Sequence, residues 1–130
     1  RARGAAIAEK RQGRATGQGR VEAYVHHDGR IGALVEVDCE TDFVARTPEF
    51  QQFCRDVAMH VAAMSPRYLQ AEDVPPAEQP SDVKTLCLLE QPFVKDQGAT
   101  GRDLVKALIA KTGENVVIRR FEKFAVGETS

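Results

Sequence analysis

Two periodicities divide the chain. From residue 21 apolar positions alternate with polar ones: Val21, Ala23 and Val25 are set against Glu22, Tyr24 and His26, the pattern of a strand with one buried face. The same period returns at Ile31, Ala33, Val35 and Val37. Between the two runs, His27-Asp28-Gly29-Arg30 is a turn signal, and its Asp-Gly pair suits a type I′ turn, in which both central residues need positive φ. Residues 21–38 therefore predict a β-hairpin. After residue 47 the period lengthens to that of a helix, with Phe50, Phe53, Cys54, Val57, Val61 and Met64 on one face. Thr47 is a capping residue, Pro48 fits a first turn that needs no donor, and Glu49 complements the dipole. Ser65-Pro66 ends that helix.

The remainder follows the same rules. Pro66, Pro75, Pro76 and Pro80 mark an extended excursion, and Leu86 to Leu89 a short buried segment. Thr100 with Asp103 forms a capping-box pattern ahead of Leu104, Val105, Leu108 and Ile109, and Gly113 supplies the stop. Residues 115–124 are rich in β-formers and predict a third strand pairing with the hairpin. There Val116, Val117 and Ile118 break the alternation, through a bulge or through burial of both faces. The expected architecture is α+β, a small, mainly antiparallel three-stranded sheet packed against helices. Residues 1–20 read as a basic lead-in, helical over Ala5 to Lys10 until Gly13, Gly17 and Gly19 make continuation costly, and residues 21–130 as the core domain.

A chain of 130 residues can enclose a proper core. Its 18 basic and 19 acidic residues nearly cancel, so no global field draws it to nucleic acid or an anionic membrane. Locally, Arg1, Arg3, Lys10, Arg11, Arg14 and Arg20 face only Glu9. That balance suits a solvated tail, an acidic partner, RNA or a transit peptide. Cys39, Cys54 and Cys87 are odd in number and widely spaced, which fits a reducing compartment better than a disulfide framework. No apolar run of about 18 residues occurs. The chain thus reads as soluble and cytoplasmic, with an organellar matrix or stroma as the other setting.

Candidate chemistry is sparse. Cys39 with His26, His27 or His60 raises thiol catalysis or a metal site, but adjacent histidines on a strand point to opposite faces and no HExxH, CxxC or nucleophile-elbow pattern is present. Asp38, Glu40 and Asp42 lack the spacing of a calcium loop. Gly13, Gly17 and Gly19 follow no strand, and no P-loop sequence occurs. The reading is therefore no catalytic residue, no metal and no cofactor. What remains is Glu40-Thr41-Asp42-Phe43-Val44, a polar-aromatic connection between strand and helix. Either Phe43 caps the core while Asp42 orders the turn, or Phe43 is an anchor for a partner's pocket.

Residues 24–32 and 35–46, which include Val37-Asp38-Cys39-Glu40-Thr41-Asp42-Phe43-Val44-Ala45-Arg46, resemble the hairpin and signature of the elongation factor Ts family. Residues 56–62, 88–96 and 113–121 are similar to further stretches of that family, in the same order. The resemblance covers about residues 10 to 124. It implies a guanine nucleotide exchange factor for elongation factor Tu in translation elongation, which is not an enzyme. It further implies that Thr41, Asp42, Phe43 and Val44 enter the GTPase near its magnesium and phosphate site. Phe43 would be the apolar wedge, Asp42 would disturb the magnesium environment, and Thr41 and Val44 would shape the loop. Family members usually begin with a small three-helix domain, and this chain is expected to start after it and to lack a helical insertion between about Glu78 and Val83. Thr47 stands where Asn or Asp is common. Short family forms pair as homodimers, an arrangement expected here because three strands and two main helices leave one sheet face uncovered. The alternative is a structural or ribosome-associated protein of the same fold without exchange activity, with the basic lead-in as its RNA contact.

Overall fold

The computed structural model describes Ala8, residues 11–78 and residues 83–128. In chain order the elements are β1 (Gln18–Val25), β2 (Ile31–Cys39), α1 (Asp42–Ala45), α2 (Pro48–Met64), α3 (Val83–Leu86), β3 (Pro92–Phe93), β4 (Asp96–Thr100), α4 (Gly101–Thr112) and β5 (Val116–Ala125). Short 3₁₀ turns cover Ala71–Asp73, Pro76–Glu78 and Leu88–Glu90. The result is the α+β architecture expected from the periodicities. A three-stranded antiparallel sheet has the order β1-β2-β5, and β3 and β4 form a separate two-stranded ribbon. The expected insertion point near residues 79–82 lies outside the described residues, as does the lead-in helix apart from Ala8, which is helical and buried.

Register decides which side chains reach the core. Across β1, β2 and β5 the pairs Glu22↔Val35↔Phe121 and Arg20↔Val37↔Ile118 share one face. On that inner face Ala33, Val35, Val37, Cys39, Val116 and Ile118 are buried, and α2 lies across β1 and β2 with Phe50, Phe53, Cys54, Val57, Ala58 and Val61 turned toward them. Met64, counted above with that stripe, is 42% exposed. Thr47 caps α2 through its hydroxyl, which accepts the Phe50 N–H at 3.3 Å, and the capping box of α4 forms between Thr100 and Asp103. Gly113 terminates α4 in the left-handed region at φ 76°. Among the described residues no helix is long and apolar enough to cross a membrane.

Besides the face of β1, where the apolar Val21 and Val25 are exposed and Arg20, Glu22 and Tyr24 share the inner side, three expectations need correction. The hairpin turn is not type I′: Asp28 keeps a negative φ and only Gly29, at 70°, is left-handed. The Gly29 N–H donates to the His26 carbonyl at 2.8 Å and His26 N–H to Ile31 at 2.8 Å, so a longer loop absorbs the reversal and Asp28 instead accepts from Arg30 N–H at 2.9 Å. Second, β1 begins at Gln18, three residues before the alternation is visible, because glycine and glutamine carry no apolar signal yet still extend the ladder opposite Asp38 and Cys39. Third, His26 and His27 do not point apart. Their rings lie 4.1 Å from each other, because both belong to the loop and not to the strand. Val116, Val117 and Ile118 themselves pair in regular register with Cys39, Asp38 and Val37, with Val117 half-buried between two buried neighbours. The bulge falls just after them, where Glu36 pairs with Arg120 but Val37 with Ile118. The extra residue, Arg119, reaches the outer face, where Arg119 meets Asp38 at 3.0 Å and Arg120 meets Glu36 at 2.8 Å. Burial, and then the neighbouring Glu36, raise the Asp38 carboxyl above its ordinary range.

The segment after the excursion, residues 85–94, is tied to α2 by a polar network that the apolar pattern does not show. His60, on the buried side of α2, stacks on Phe93 with ring centroids 4.8 Å apart. Its Nδ1 accepts the Val94 N–H at 3.1 Å, its Nε2 lies 2.8 Å from Gln91 Oε1, and Gln91 donates onward to the Thr85 carbonyl at 2.9 Å. Acceptance at Nδ1 assigns the proton of the neutral ring to Nε2. Burial holds the imidazole below its ordinary 6.5, with Gln91 opposing the shift more weakly. The unfolded chain therefore takes up a proton at a higher pH than the folded one. Stability is full above about 6.5 and falls as pH drops through that value toward the folded pKa. Urea unfolding between pH 7.5 and 5.5 should accordingly show a steeper loss for the parent than for His60→Gln, which is less stable throughout. Equal slopes for the two proteins would contradict this assignment.

Candidate functional site

The strand ladder between β2 and β5 ends at the pair Cys39↔Val116. Beyond it the chains diverge, and the next backbone donors need acceptors other than strand carbonyls. Two carboxylates provide them reciprocally. Glu114 Oε1 accepts the N–H groups of Glu40 at 3.1 Å and Thr41 at 3.0 Å, while Glu40 Oε2 accepts the Asn115 N–H at 2.5 Å. The corner that carries Glu114 is itself fixed, since Thr112 donates to the Leu108 carbonyl at 2.9 Å and accepts the Glu114 N–H at 3.2 Å. Arg11 donates to the Gly113 carbonyl at 2.7 Å, and Asn115 Nδ2 to the Arg14 carbonyl at 2.9 Å.

Residues 42–45 lie in a short helix and not in an irregular connection. A helix of one turn has almost no stability of its own, so its capping and burial decide its shape. Thr41 is the N-cap: its hydroxyl donates to Glu114 Oε2 at 2.6 Å and accepts the Val44 N–H at 3.2 Å. Val44 and Ala45 are buried, and the Thr47 hydroxyl donates to the Val44 carbonyl at 2.8 Å, linking α1 to α2. The four residues singled out in the sequence are thereby divided. Thr41 and Val44 fasten the turn, while Asp42 and Phe43 project from it. Phe43 is 76% exposed, which overturns its reading as a core cap. Asp42 meets Arg46 at 3.1 Å in an i,i+4 pair open to solvent, a contact worth little to stability.

The other candidates have structural roles. Cys39 is fully buried, donates to the Thr41 carbonyl at 3.2 Å, and has its thiol pushed up to about 11, by burial first and by the Glu114 charge second. Burial likewise pushes Cys54 up to about 12 and raises Cys87. Asp38, Glu40 and Asp42 each face a different partner, and among the described residues no three His, Cys, Asp or Glu side chains are grouped to hold a metal. Glu114 and Asn115 were not singled out above as functional. Their only sequence signal is a Gly-Glu-Asn corner between a helix stop and a strand, and its contact with residues 40–41 spans more than 70 positions.

The sequence model of the family described as Elongation factor TS matches residues 4–82. The chain is 46% identical to the elongation factor Ts of Rubrobacter xylanophilus, over 94% of this chain and 77% of that protein. It is 45% identical to that of Carboxydothermus hydrogenoformans, over 98% of this chain and 72% of the relative. This chain belongs to the elongation factor Ts family. It is 43% identical to the elongation factor Ts of Caldanaerobacter subterraneus over 98% of this chain and 78% of that relative. The alignment spans 157 positions against 130 residues in this chain, so that relative has internal residues with no counterpart here. The Thr41-Asp42-Phe43-Val44 turn and the hairpin before it fall within the matched residues of the elongation factor Ts family.

The thiol environment has a direct consequence. A thiol with a pKa of about 11 is almost wholly protonated at neutral pH. Native protein treated with iodoacetamide at pH 7.5 should remain unmodified by mass spectrometry, and denatured protein should gain three adducts, one for each of Cys39, Cys54 and Cys87. Rapid labelling of native Cys39 would overturn the assignment of this thiol as a buried, inert group.

Proposed function

We propose that this chain is a guanine nucleotide exchange factor for elongation factor Tu, acting without covalent chemistry and not as an enzyme. The observation that carries the reading is Phe43: a large aromatic, 76% exposed, on a turn whose neighbours are capped and buried. An aromatic left in water on a rigid support is suited to a partner's pocket, since little further ordering is needed when it docks. In this reading Phe43 is the wedge, and Asp42 brings a carboxylate toward the magnesium and phosphates of the GTPase. Thr41 and Val44 hold the turn. Membership of the elongation factor Ts family supports the partner.

The thermodynamics need no bond making. If the factor lowers the affinity of the GTPase for GDP, GDP lowers the affinity for the factor by the same ratio. A coupling of about 3 kcal/mol corresponds to roughly 150-fold in affinity, within reach of one wedge and one displaced charge. Asp42→Ala with Phe43→Ala should slow stimulated GDP release by at least about tenfold, the loss of one docked anchor. Circular dichroism should be unchanged, because both side chains are solvent-facing. A double variant that matches the parent rate rules out this use of the turn and favours a structural role for the protein. RNA contact by the lead-in gains no support from Arg11, Arg14 and Arg20, which engage Gly113, Glu40 and Glu22 within the chain.

We also propose that two copies pair through the outer face of the sheet. The registers Ala23↔Leu34 and Val25↔Gly32↔Phe124 bring apolar groups together on the side away from α2. There Val25 is 67% exposed, Leu34 49% and Phe124 73%. A self-complementary apolar patch of this kind is what an isologous interface buries. Light scattering over a dilution series should give more than the 14.3 kDa of one chain at micromolar concentration, and Leu34→Arg should restore that mass. A single-chain mass up to about 100 micromolar, an association weaker than about −5.5 kcal/mol, excludes the pair.

A further inference from the structure

We infer that Glu114 is a positioning residue for exchange: its carboxylate sets the conformation of the turn that presents Asp42 and Phe43, although it lies more than 70 positions further along the chain. The inference rests on the exchange reading of that turn and goes beyond it by naming the group that holds the turn in place.

The argument begins with the instability of the turn itself. α1 has four residues, too few to persist through its own hydrogen bonds. Its buried side, Val44 and Ala45, holds it to the core but does not by itself fix rotation at the N-terminal end. That end is set by Thr41, whose extended backbone (φ −126°, ψ 152°) and hydroxyl form the cap. A hydroxyl has one proton, and its direction decides whether a lone pair is left facing the Val44 N–H. Here the proton goes to Glu114 Oε2 at 2.6 Å, and the lone pair accepts from Val44 at 3.2 Å. The other oxygen of the same carboxylate accepts from the Thr41 and Glu40 N–H groups at 3.0 and 3.1 Å. One carboxylate therefore receives three donors from two consecutive residues, all charge-assisted.

No neighbouring group duplicates this arrangement. Glu40 is turned the opposite way, onto the Asn115 N–H at 2.5 Å. The core contacts of α4 and β5 do not include the Glu114 side chain, which is only half-buried. Removing it should thus loosen residues 40–44 and leave the sheet and α2 in place. Phe43 would still be present but no longer held at a fixed angle, and a wedge that must be ordered on docking loses affinity for that reason alone.

The test uses the full chain with elongation factor Tu loaded with fluorescent GDP. Glu114→Ala should slow stimulated release by about tenfold at subsaturating factor, with near-parent release at saturation, since the turn is still available at a lower population. Combined with Phe43→Ala, it should cost less than the product of the two single effects, because both act through one contact. Glu114→Gln, which keeps an oxygen for the two N–H groups and offers its amide to the Thr41 hydroxyl, should recover most of the loss. Amide exchange supplies a readout independent of the GTPase: protection at Glu40, Thr41 and Val44 should fall in Glu114→Ala while that of β2 and α2 is kept. Unchanged protection at these three amides overturns the inference, as does full additivity with Phe43→Ala. If Phe43→Ala alone exchanges at the parent rate, the exchange reading fails and this inference with it, whatever the amides show. Should Glu114→Ala fail to fold, the isostere Glu114→Leu carries the comparison, and parent-like exchange together with parent-like protection in that variant counts against the inference.

Discussion

The structure depends on one contact surface, the burial of the inner face of the β1–β2–β5 sheet under α2. β2 is the central strand, so Ala33, Val35, Val37 and Cys39 are shielded by strands on both sides and by the helix above. Each buried aliphatic side chain there is worth about 1.5–3 kcal/mol, and a slip of one residue in register would turn all of them outward. That penalty locks the register. Once it is locked, the positions of Cys39 and Val116 as the last pair follow, and with them the point at which the chain must leave the sheet.

The exposed turn follows from this geometry. At the end of a locked ladder, donors on residues 40 and 41 need acceptors, and the side chains that reach them come from the corner between α4 and β5. The site is therefore built at a strand end, where the backbone is free of ladder pairing yet held by a rigid support. The same reasoning accounts for Arg119. The bulge turns two consecutive arginines to the outer face, where Asp38 and Glu36 lie, so one irregularity satisfies two carboxylates that the sheet places side by side.

Burial also separates the chemically suggestive residues from those of the candidate site. Cys39 and His60 are the most reactive types in the chain, yet both are enclosed and hydrogen-bonded in their neutral forms, where each contributes to packing. The exposed residues of the turn, Asp42 and Phe43, carry no reactive group and have little part in the core. For an exchange factor this division is consistent with a function that depends on shape and charge at a surface.

Much of this was legible in the sequence wherever a local rule sufficed. Alternation located β1 and β2, though not which side of β1 is buried, the three–four spacing located α2, and Thr47, Thr100, Asp103 and Gly113 marked helix ends, because each of these signals depends on neighbours within a few residues. The Thr41–Val44 signature was visible for the same reason. Tertiary structure decided the rest. Whether Phe43 faced the core or water, which oxygen oriented the Thr41 hydroxyl, how His60 found Gln91 and Val94, and where the β5 bulge fell all depend on residues brought together from 31 to 81 positions apart. Periodicity reports which side of an element is apolar. It has no term for what the fold places opposite that side, and the candidate site is made of such oppositions.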